Sequence, residues 1–482
     1  METPRSVTRR RPVRVPAILA ALALAVAACG GGTPATSQTA SGTPAASATA
    51  AASQGSGEPV EIEWFVGLGT GENEEQIPVE EAVVAAFNES QDGIELILTV
   101  VDNTEASDTL ATRIAAGDAP DIIGPIGIRG LQSFGDQLLD LSPYIGSVDL
   151  SEIDQALIDV YKVDGKQIGI PMAVYPSFFY YNKTLFDEAE LAYPPHEVGE
   201  QYEGKDWTWD TVRELAKQLT VDGAGNDATS ADFNADDIVQ YGLDAQFTEN
   251  DARAWATIFG GSGSAVADDG TTAQWPDNWR EGLQYMYDGI WTDQFIPNQT
   301  AVQALADGNT FQSGRIAMDV VHQWYTCCVY PGEGEPQVTD WDIAVLPEGP
   351  DGKITSKLHA DTIGIMDTTE NPEQAFEALS FLTRSPELIQ IWGAMPAIES
   401  QRADFFAGLD DRFAPLEIDW NVSTQMLAYP DNPSHEAFMP NFPEADSANK
   451  DLGSKIWTTP DLDLDAEIDA HVELLQGIFD SN

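Results

Sequence analysis

Three groups of residues have the types and spacing to do chemistry. The stretch Asp222-Gly223-Ala224-Gly225-Asn226-Asp227 through Asp232-Phe233-Asn234-Ala235-Asp236-Asp237 is dense in carboxylate and amide oxygens. Hard cations take several oxygens from one short loop, which makes Asp222, Asn226, Asp232, Asn234 and Asp236 a candidate Ca²⁺ set. The Gly and terminal Glu of an EF-hand are out of register, however, so a solvated loop of Asx turns is the simpler expectation and no cofactor is required. The second group is Cys327-Cys328, the only thiols besides Cys29. In an oxidising compartment they either close an adjacent-residue disulfide or stay as two thiols, since the short Cα spacing disfavours the bridge. The third is Gly67-Leu68-Gly69-Thr70-Gly71, where Glu72 stands in the place of the last Gly of a dinucleotide fingerprint. That leaves a strand-to-helix turn or a ligand-facing loop. Neither Gly-x-Ser-x-Gly nor His-Glu-x-x-His occurs, and Gly199 to Gly204-Lys205-Asp206 lacks the hydroxyl residue of a phosphate loop. A glycoside hydrolase needs only two spaced carboxylates, so with 79 Asp and Glu residues that alternative stays open.

The amino terminus sets the compartment in which these groups would work. Arg5, Arg9, Arg10, Arg11 and Arg14 precede the apolar run from Ala17 to Ala28, which is short for a spanning helix and suited to a signal-peptide core. The run ends in Val26-Ala27-Ala28-Cys29-Gly30 and resembles the lipobox of bacterial lipoproteins. Residues 1–28 therefore read as a lipoprotein signal peptide and Cys29 as the lipidated first residue. Residues 29–57 are almost wholly Gly, Ala, Ser, Thr and Pro, a flexible tether with a reach on the order of 30 Å. The expected location is the outer side of the cytoplasmic membrane, held by acyl chains. No second apolar run approaches bilayer length. A formal net charge of −56 argues against nucleic acid or an anionic lipid surface as partner, because both require basic patches.

The body after residue 57 is longer than one core usually serves, so two domains are expected. Val60 to Val66 and Ile94 to Val101 read as strands, with Val79, Val83, Val84 and Phe87 on one helical face between them. Leu110 and Ile114 lie on a helix that stops at Gly117, and Pro120-Asp121-Ile122-Ile123-Gly124 opens a third strand. Strands alternating with helices argue for an α/β architecture with a mainly parallel sheet, in which ligands sit at the carboxyl ends of the strands. That singles out Thr70 and Glu72 after the first strand, and Pro125 and Gly127 after the third. The stretch from Gly165 to Tyr175, continuing through Phe178-Phe179-Tyr180-Tyr181-Asn182 to Phe186, reads as two strands with an extended Pro-containing passage between them.

Taken in order, several motifs resemble the family 1 extracellular solute-binding proteins of ABC importers. Trp64, Phe87-Asn88, Ala115-Ala116-Gly117-Asp118-Ala119-Pro120-Asp121 and Leu138-Leu139-Asp140-Leu141-Ser142 come first. Asp164-Gly165-Lys166 through Pro171, Tyr180-Tyr181-Asn182-Lys183-Thr184-Leu185-Phe186, Pro194-Pro195 and Trp207-Thr208-Trp209-Asp210 follow. Gly260-Gly261, Phe311 to Met318, Trp341-Asp342 to Pro347 and Asn371-Pro372-Glu373-Gln374-Ala375-Phe376 complete the order. The resemblance implies a two-lobed periplasmic-binding-protein-like (type II) α/β fold with a ligand cleft and three hinge crossings. It puts the crossings at Met172–Tyr175, Leu358–Asp361 and Arg384–Pro386, and the lobes at 58–172 with 361–384 and at 175–358 with 386–482. It further implies a monomer that binds a sugar and hands it to ABC permease subunits, a binder rather than an enzyme; a binding protein for a non-sugar solute is the neighbouring alternative. By the same resemblance Trp324, after Ala317-Met318, is the stacking aromatic. Tyr325, His322, Tyr175, Trp255, Asp361 and Trp392 are further ligand-binding candidates. Gly124-Pro125-Ile126-Gly127-Ile128-Arg129 departs from the maltose-binding pattern, which has a Trp and an acidic residue there; Arg129 is either a hydrogen-bond donor to ligand at that rim or a surface residue.

Overall fold

A computed structural model describes residues 58–481 except 154, 160, 164, 246–250, 307–309, 330–337 and 432–438. Of residues 128, 129, 132, 156, 163, 306 and 327 it describes the backbone alone. The signal peptide, Cys29 and the tether lie outside the described residues. No helix among the described residues is long and apolar enough to cross a membrane.

Two sheets organise the body. The first has six strands in the order Met395–Pro396, Ile170–Tyr175, His359–Ile365, Ile122–Ile126, Val60–Val66, Ile94–Val100. Val60–Val66 runs parallel to both of its neighbours, pairing Val60 with Ile94 and Trp64 with Ile122, whereas His359–Ile365 is antiparallel to the strands on either side of it. The second sheet has five strands in the order Trp341–Ala344, Ser177–Asn182, Ile316–His322, Ile238–Asp244, Val221–Asp222. Strands covered on both faces need continuous apolar side chains, and every residue of Ile170–Tyr175 and of Ser177–Asn182 is buried. Helix ends follow the sequence signals. Asp102 accepts from the Thr104 N–H to cap the helix Asn103–Ala116, and Gly117, at φ 74°, closes it in the left-handed conformation that glycine adopts without strain.

The first passage between the sheets is a single residue. Ile170–Tyr175 belongs to the first sheet and Ser177–Asn182 to the second, so the chain passes between them at Pro176. Proline has no N–H to give to either ladder, and its carbonyl accepts from the Gln323 N–H at 2.9 Å. Met172–Tyr175, expected to be the crossing, is instead part of an inner strand of the first sheet, paired on both sides and ending one residue before the crossing. The second passage comes just before His359, at Ser356 to Leu358, and is bonded to the first. Ser177 N–H donates to Ser356 Oγ at 2.8 Å, Ser356 Oγ donates to the Ser177 carbonyl at 3.0 Å, and Ser177 Oγ donates to the Lys357 carbonyl at 2.6 Å. Asp431 completes the knot by accepting the Leu358 N–H and donating its own N–H to the Ser356 carbonyl, both at 2.9 Å.

The third passage differs from its expected place at Arg384–Pro386. The helix Pro386–Ile391 packs on the helix Ile77–Ser90, and Met395–Pro396 pairs with Val174 and Ala173, so this stretch belongs with the first sheet. Phe413, at the end of the helix Arg402–Phe413, stacks edge-on against Trp341 of the second sheet at 5.1 Å. The chain thus changes sides between Pro396 and Phe413.

The serine pair supplies a test. Ser356 is fully buried, and its loss strands the Ser177 N–H, which costs about 1–3 kcal/mol. Ser356→Ala is expected to lower stability by that amount in urea titration. An unchanged midpoint would show that the crossings are not held by this pair.

Candidate functional site

The carboxyl ends of the first sheet's strands carry the first half of the site. After Val66 the loop is folded around Gln76, a nearly fully buried side chain. Its Oε1 accepts from the N–H groups of Gly71 and Asn73, at 2.9 and 3.3 Å, and its Nε2 donates to Thr70 Oγ1 at 2.9 Å. Thr70 is therefore held by its own loop. Glu72 is half-buried, and burial raises its carboxyl above the usual range. Beneath the loop sits Glu80, fully buried on the inner face of its helix. Trp392 Nε1 donates to Glu80 Oε1 at 2.9 Å, and the Trp392 ring meets Trp64 edge-on at 6.3 Å. Trp392, a ligand-binding candidate by sequence, is thus placed in the first sheet's core as the partner of a buried acid. Desolvation pushes Glu80 up to about 7 against the lowering effect of that hydrogen bond.

Next along the edge, Pro125 is buried within its strand and Gly127 follows it. A Cβ on Gly127 would come within 3.1 Å of Asp361 Oδ1, so the glycine is what lets this carboxylate stand there. Asp361 Oδ2 accepts the Tyr175 hydroxyl at 3.0 Å. Burial pushes Asp361 up to about 6, which the Tyr175 hydrogen bond moderates. Oδ1 has no hydrogen-bond partner among the described residues. The Arg129 side chain lies outside the described residues.

The second sheet contributes the end of Ile316–His322 and the 3₁₀ turn Gln323–Cys327 that follows. Trp324 is half-buried, with its ring nearly parallel to that of His322 at 14° and 5.9 Å. Tyr325 behind it is fully enclosed, packed edge-on against Tyr180 at 5.1 Å. Trp255 is buried in the helix Ala252–Gly260, all of whose residues are buried. Cys328 is disulfide-bonded, while the Cys327 side chain lies outside the described residues.

Around Pro176 the two halves meet. Tyr175 pairs with His359 across the first sheet and Ser177 with His322 across the second. The His322 and His359 rings touch edge to face, 4.1 Å apart at 82°. Tyr175, Asp361 and Gly127 on one side and His322 and Trp324 on the other are thereby gathered about one crossing. Such a place can offer an aromatic plate and hydrogen-bond acceptors together, the pairing that suits a ligand with both apolar C–H faces and hydroxyls. Thr70 and Glu72 sit on a separate loop, and Trp255, Tyr325 and Trp392 are packing residues in this conformation. Surface depressions of about 430 and 220 Å³ are lined by none of the residues gathered at Pro176.

The Asp-rich stretch folds on itself. Asp222 accepts the N–H groups of Ala224, Asn226 and Asn234 and the Asn226 side-chain amide. With the Asn226 hydrogen bonds foremost, these hold its carboxyl down at about 2. Asn234 caps the next turn by accepting from the Asp236 N–H. Among the described residues no group of three or more His, Cys, Asp or Glu side chains is placed to hold a metal ion.

The family described as bacterial extracellular solute-binding protein matches residues 70–387. A Brucella abortus binding protein is 23% identical over 361 residues, covering 71% of this chain and 81% of that one. An ABC substrate-binding protein from Listeria monocytogenes, solved in complex with cycloalternan, superposes with a TM-score of 0.67 at 20% identity, over 87% of this chain and 98% of its own. A solute-binding protein from Thermotoga lettingae bound with α-D-tagatose gives 0.66 at 18% identity, over 87% and 100%. These likenesses confirm the two-lobed α/β fold.

Glu80 makes the buried acid measurable. Its pKa is raised from 4.5 to about 7, so the folded protein holds a proton there that the unfolded chain has already lost. Its contribution is complete below pH 4.5 and declines as pH rises to 7. Glu80→Gln is expected to be more stable than the parent at pH 7.5, by on the order of 3 kcal/mol, with the gap closing toward pH 4.5. Parallel stability curves for parent and variant across that interval would contradict the assignment.

Proposed function

Because the chain belongs to the bacterial extracellular solute-binding proteins, we propose that it captures a carbohydrate at the Pro176 crossing and delivers it to an ABC permease. The observation that carries this reading is the half-exposed Trp324 plate set beside His322, with the Tyr175–Asp361 pair across the crossing. A sugar ring lays its C–H face on an indole and donates a hydroxyl hydrogen bond to a fixed carboxylate oxygen, and Asp361 Oδ1 is an acceptor of that kind. The sugars bound by the Listeria and Thermotoga proteins support the class and leave the identity of the sugar open. Ligand that touches both sides in one arrangement favours that arrangement, so capture works by population shift between open and closed lobes. The protein acts as a monomeric binder without turnover, held to the outer side of the cytoplasmic membrane through lipidated Cys29 and its tether.

A thermal-shift and calorimetric panel of sugars, polyols, amino acids and peptides tests the class. A sugar is expected to raise the midpoint and remain intact after incubation. Trp324→Ala is expected to weaken its binding tenfold or more, about 1.4 kcal/mol. Binding confined to amino acids or peptides, or release of a hydrolysis product, would overturn the reading. For the anchor, Cys29→Ser is expected to move the protein from the membrane fraction to the soluble one; an unchanged distribution would refute lipidation at Cys29.

A further inference from the structure

Two side chains beside the crossing carry hydrogen-bonding groups that the described protein does not use. Gln323 opens the 3₁₀ turn between His322 and Trp324 and is fully buried. Its backbone is engaged: the N–H donates to the Pro176 carbonyl at 2.9 Å, and the carbonyl accepts the Thr326 hydroxyl at 3.1 Å. Its amide is not, since neither Oε1 nor Nε2 has a hydrogen-bond partner among the described residues. Tyr161 lies on the first sheet's side, its carbonyl accepting the Ile168 N–H at 2.9 Å two residues before the strand Ile170–Tyr175, and burial first and then the Asp361 carboxylate hold its hydroxyl well above the usual range. It too is fully buried, and its hydroxyl has no partner among the described residues. Buried polar groups are nearly always satisfied. Asn182, Trp275 and Tyr285 carry such groups within the cores too; these two differ in flanking one passage, each next to a ligand-binding candidate, and that position points to a ligand.

We propose that Gln323 and Tyr161 are specificity-determining residues that hydrogen-bond ligand hydroxyls, Gln323 engaging an adjacent pair and Tyr161 a single one from the opposite lobe. A carboxamide offers an acceptor and a donor side by side, which matches neighbouring hydroxyls on a sugar ring, one donating to Oε1 and the other accepting from Nε2. Sites built to hydrogen-bond a hydroxyl discriminate strongly against the analogue that lacks it, because the site's own polar group is then stranded. The favoured ligand class is accordingly a sugar with an unsubstituted vicinal diol, and deoxy or O-methyl analogues are disfavoured. This assignment rests on the carbohydrate reading above.

The experiment measures binding to the full-length protein of a sugar identified in the panel and of its mono-deoxy analogues, for the parent, Gln323→Leu, Gln323→Met and Tyr161→Phe. Ligand-free thermal midpoints are recorded alongside. Each variant is expected to lose tenfold or more in affinity for the parent sugar. For the two deoxy analogues that each lack one hydroxyl of the pair engaged by Gln323, the gap between the parent and the Gln323 variants is expected to shrink relative to the parent sugar, and the ligand-free midpoints are expected to hold or rise because an unused polar group has been removed. Affinities within twofold of the parent, the result if buried water serves these groups, overturn the assignment and leave the carbohydrate reading intact. A ligand-free midpoint that falls in Gln323→Met, which keeps the volume, shows an internal partner for the amide and also overturns it. A parent protein that binds no sugar overturns the carbohydrate reading and this assignment together.

Discussion

The structure depends on how the backbone is satisfied at a place where no sheet can satisfy it. A strand that leaves one sheet for another within a single residue interrupts two ladders, and buried N–H and C=O groups left over are costly. Pro176 removes one of them by having no N–H, and the Gln323 N–H takes up its carbonyl. The reciprocal Ser177 and Ser356 bonds account for the next pair, with Asp431 binding the return strand. Every residue gathered at the crossing is placed by this accounting: Tyr175 and His359 by the first sheet, His322 by the second, and Trp324 by the turn that Pro176 anchors.

Charge adds a second constraint. In a chain of net charge −56, the acids Glu80, Asp244 and Asp361 are all pushed up by desolvation. Each also accepts a neutral hydrogen bond, from Trp392, Thr310 and Tyr175 respectively. Neutral donors steady a carboxyl group in place while offsetting little of its desolvation. Asp361 and Glu80 each keep a second oxygen without a partner among the described residues, but Glu80 is fully buried whereas Asp361 is half-buried and stands beside a glycine whose lack of Cβ leaves it room. That is the property expected of a group meant for a ligand rather than for the core.

Much of the architecture was legible in the sequence, because burial on both faces writes itself as runs of β-branched and aromatic residues, and because Gly117 ends its helix as a left-handed cap must. The site was legible only where resemblance in motif order supplied it, as for Trp324, or where a strand end exposed it, as for Gly127. Glu80 was invisible: helical periodicity counts apolar residues, and the reason for a carboxylate on the inner face is Trp392, 312 positions away. His359 and Gln323 were missed for a related cause, since their meaning comes from the register of two sheets at one crossing. The third passage was set too early because Met395–Pro396 is a two-residue edge strand containing proline, a signal too short for any periodicity to register.

The same hydrogen bonds bear on how the lobes can move. With Ser177 bonded to Ser356 and Lys357, the first two passages form one unit, and a relative rotation of the sheets has to be taken up by the few dihedrals around Pro176 and Lys357. Gln323 is bonded to Pro176, so the turn bearing Trp324 moves with the crossing instead of swinging separately. The third passage, between Pro396 and Phe413, includes a helix and can follow that rotation without setting it. In the proposed closure the turn that bears Trp324 therefore follows the crossing rather than moving separately from it. Discrimination among ligands is left to the side chains that flank it.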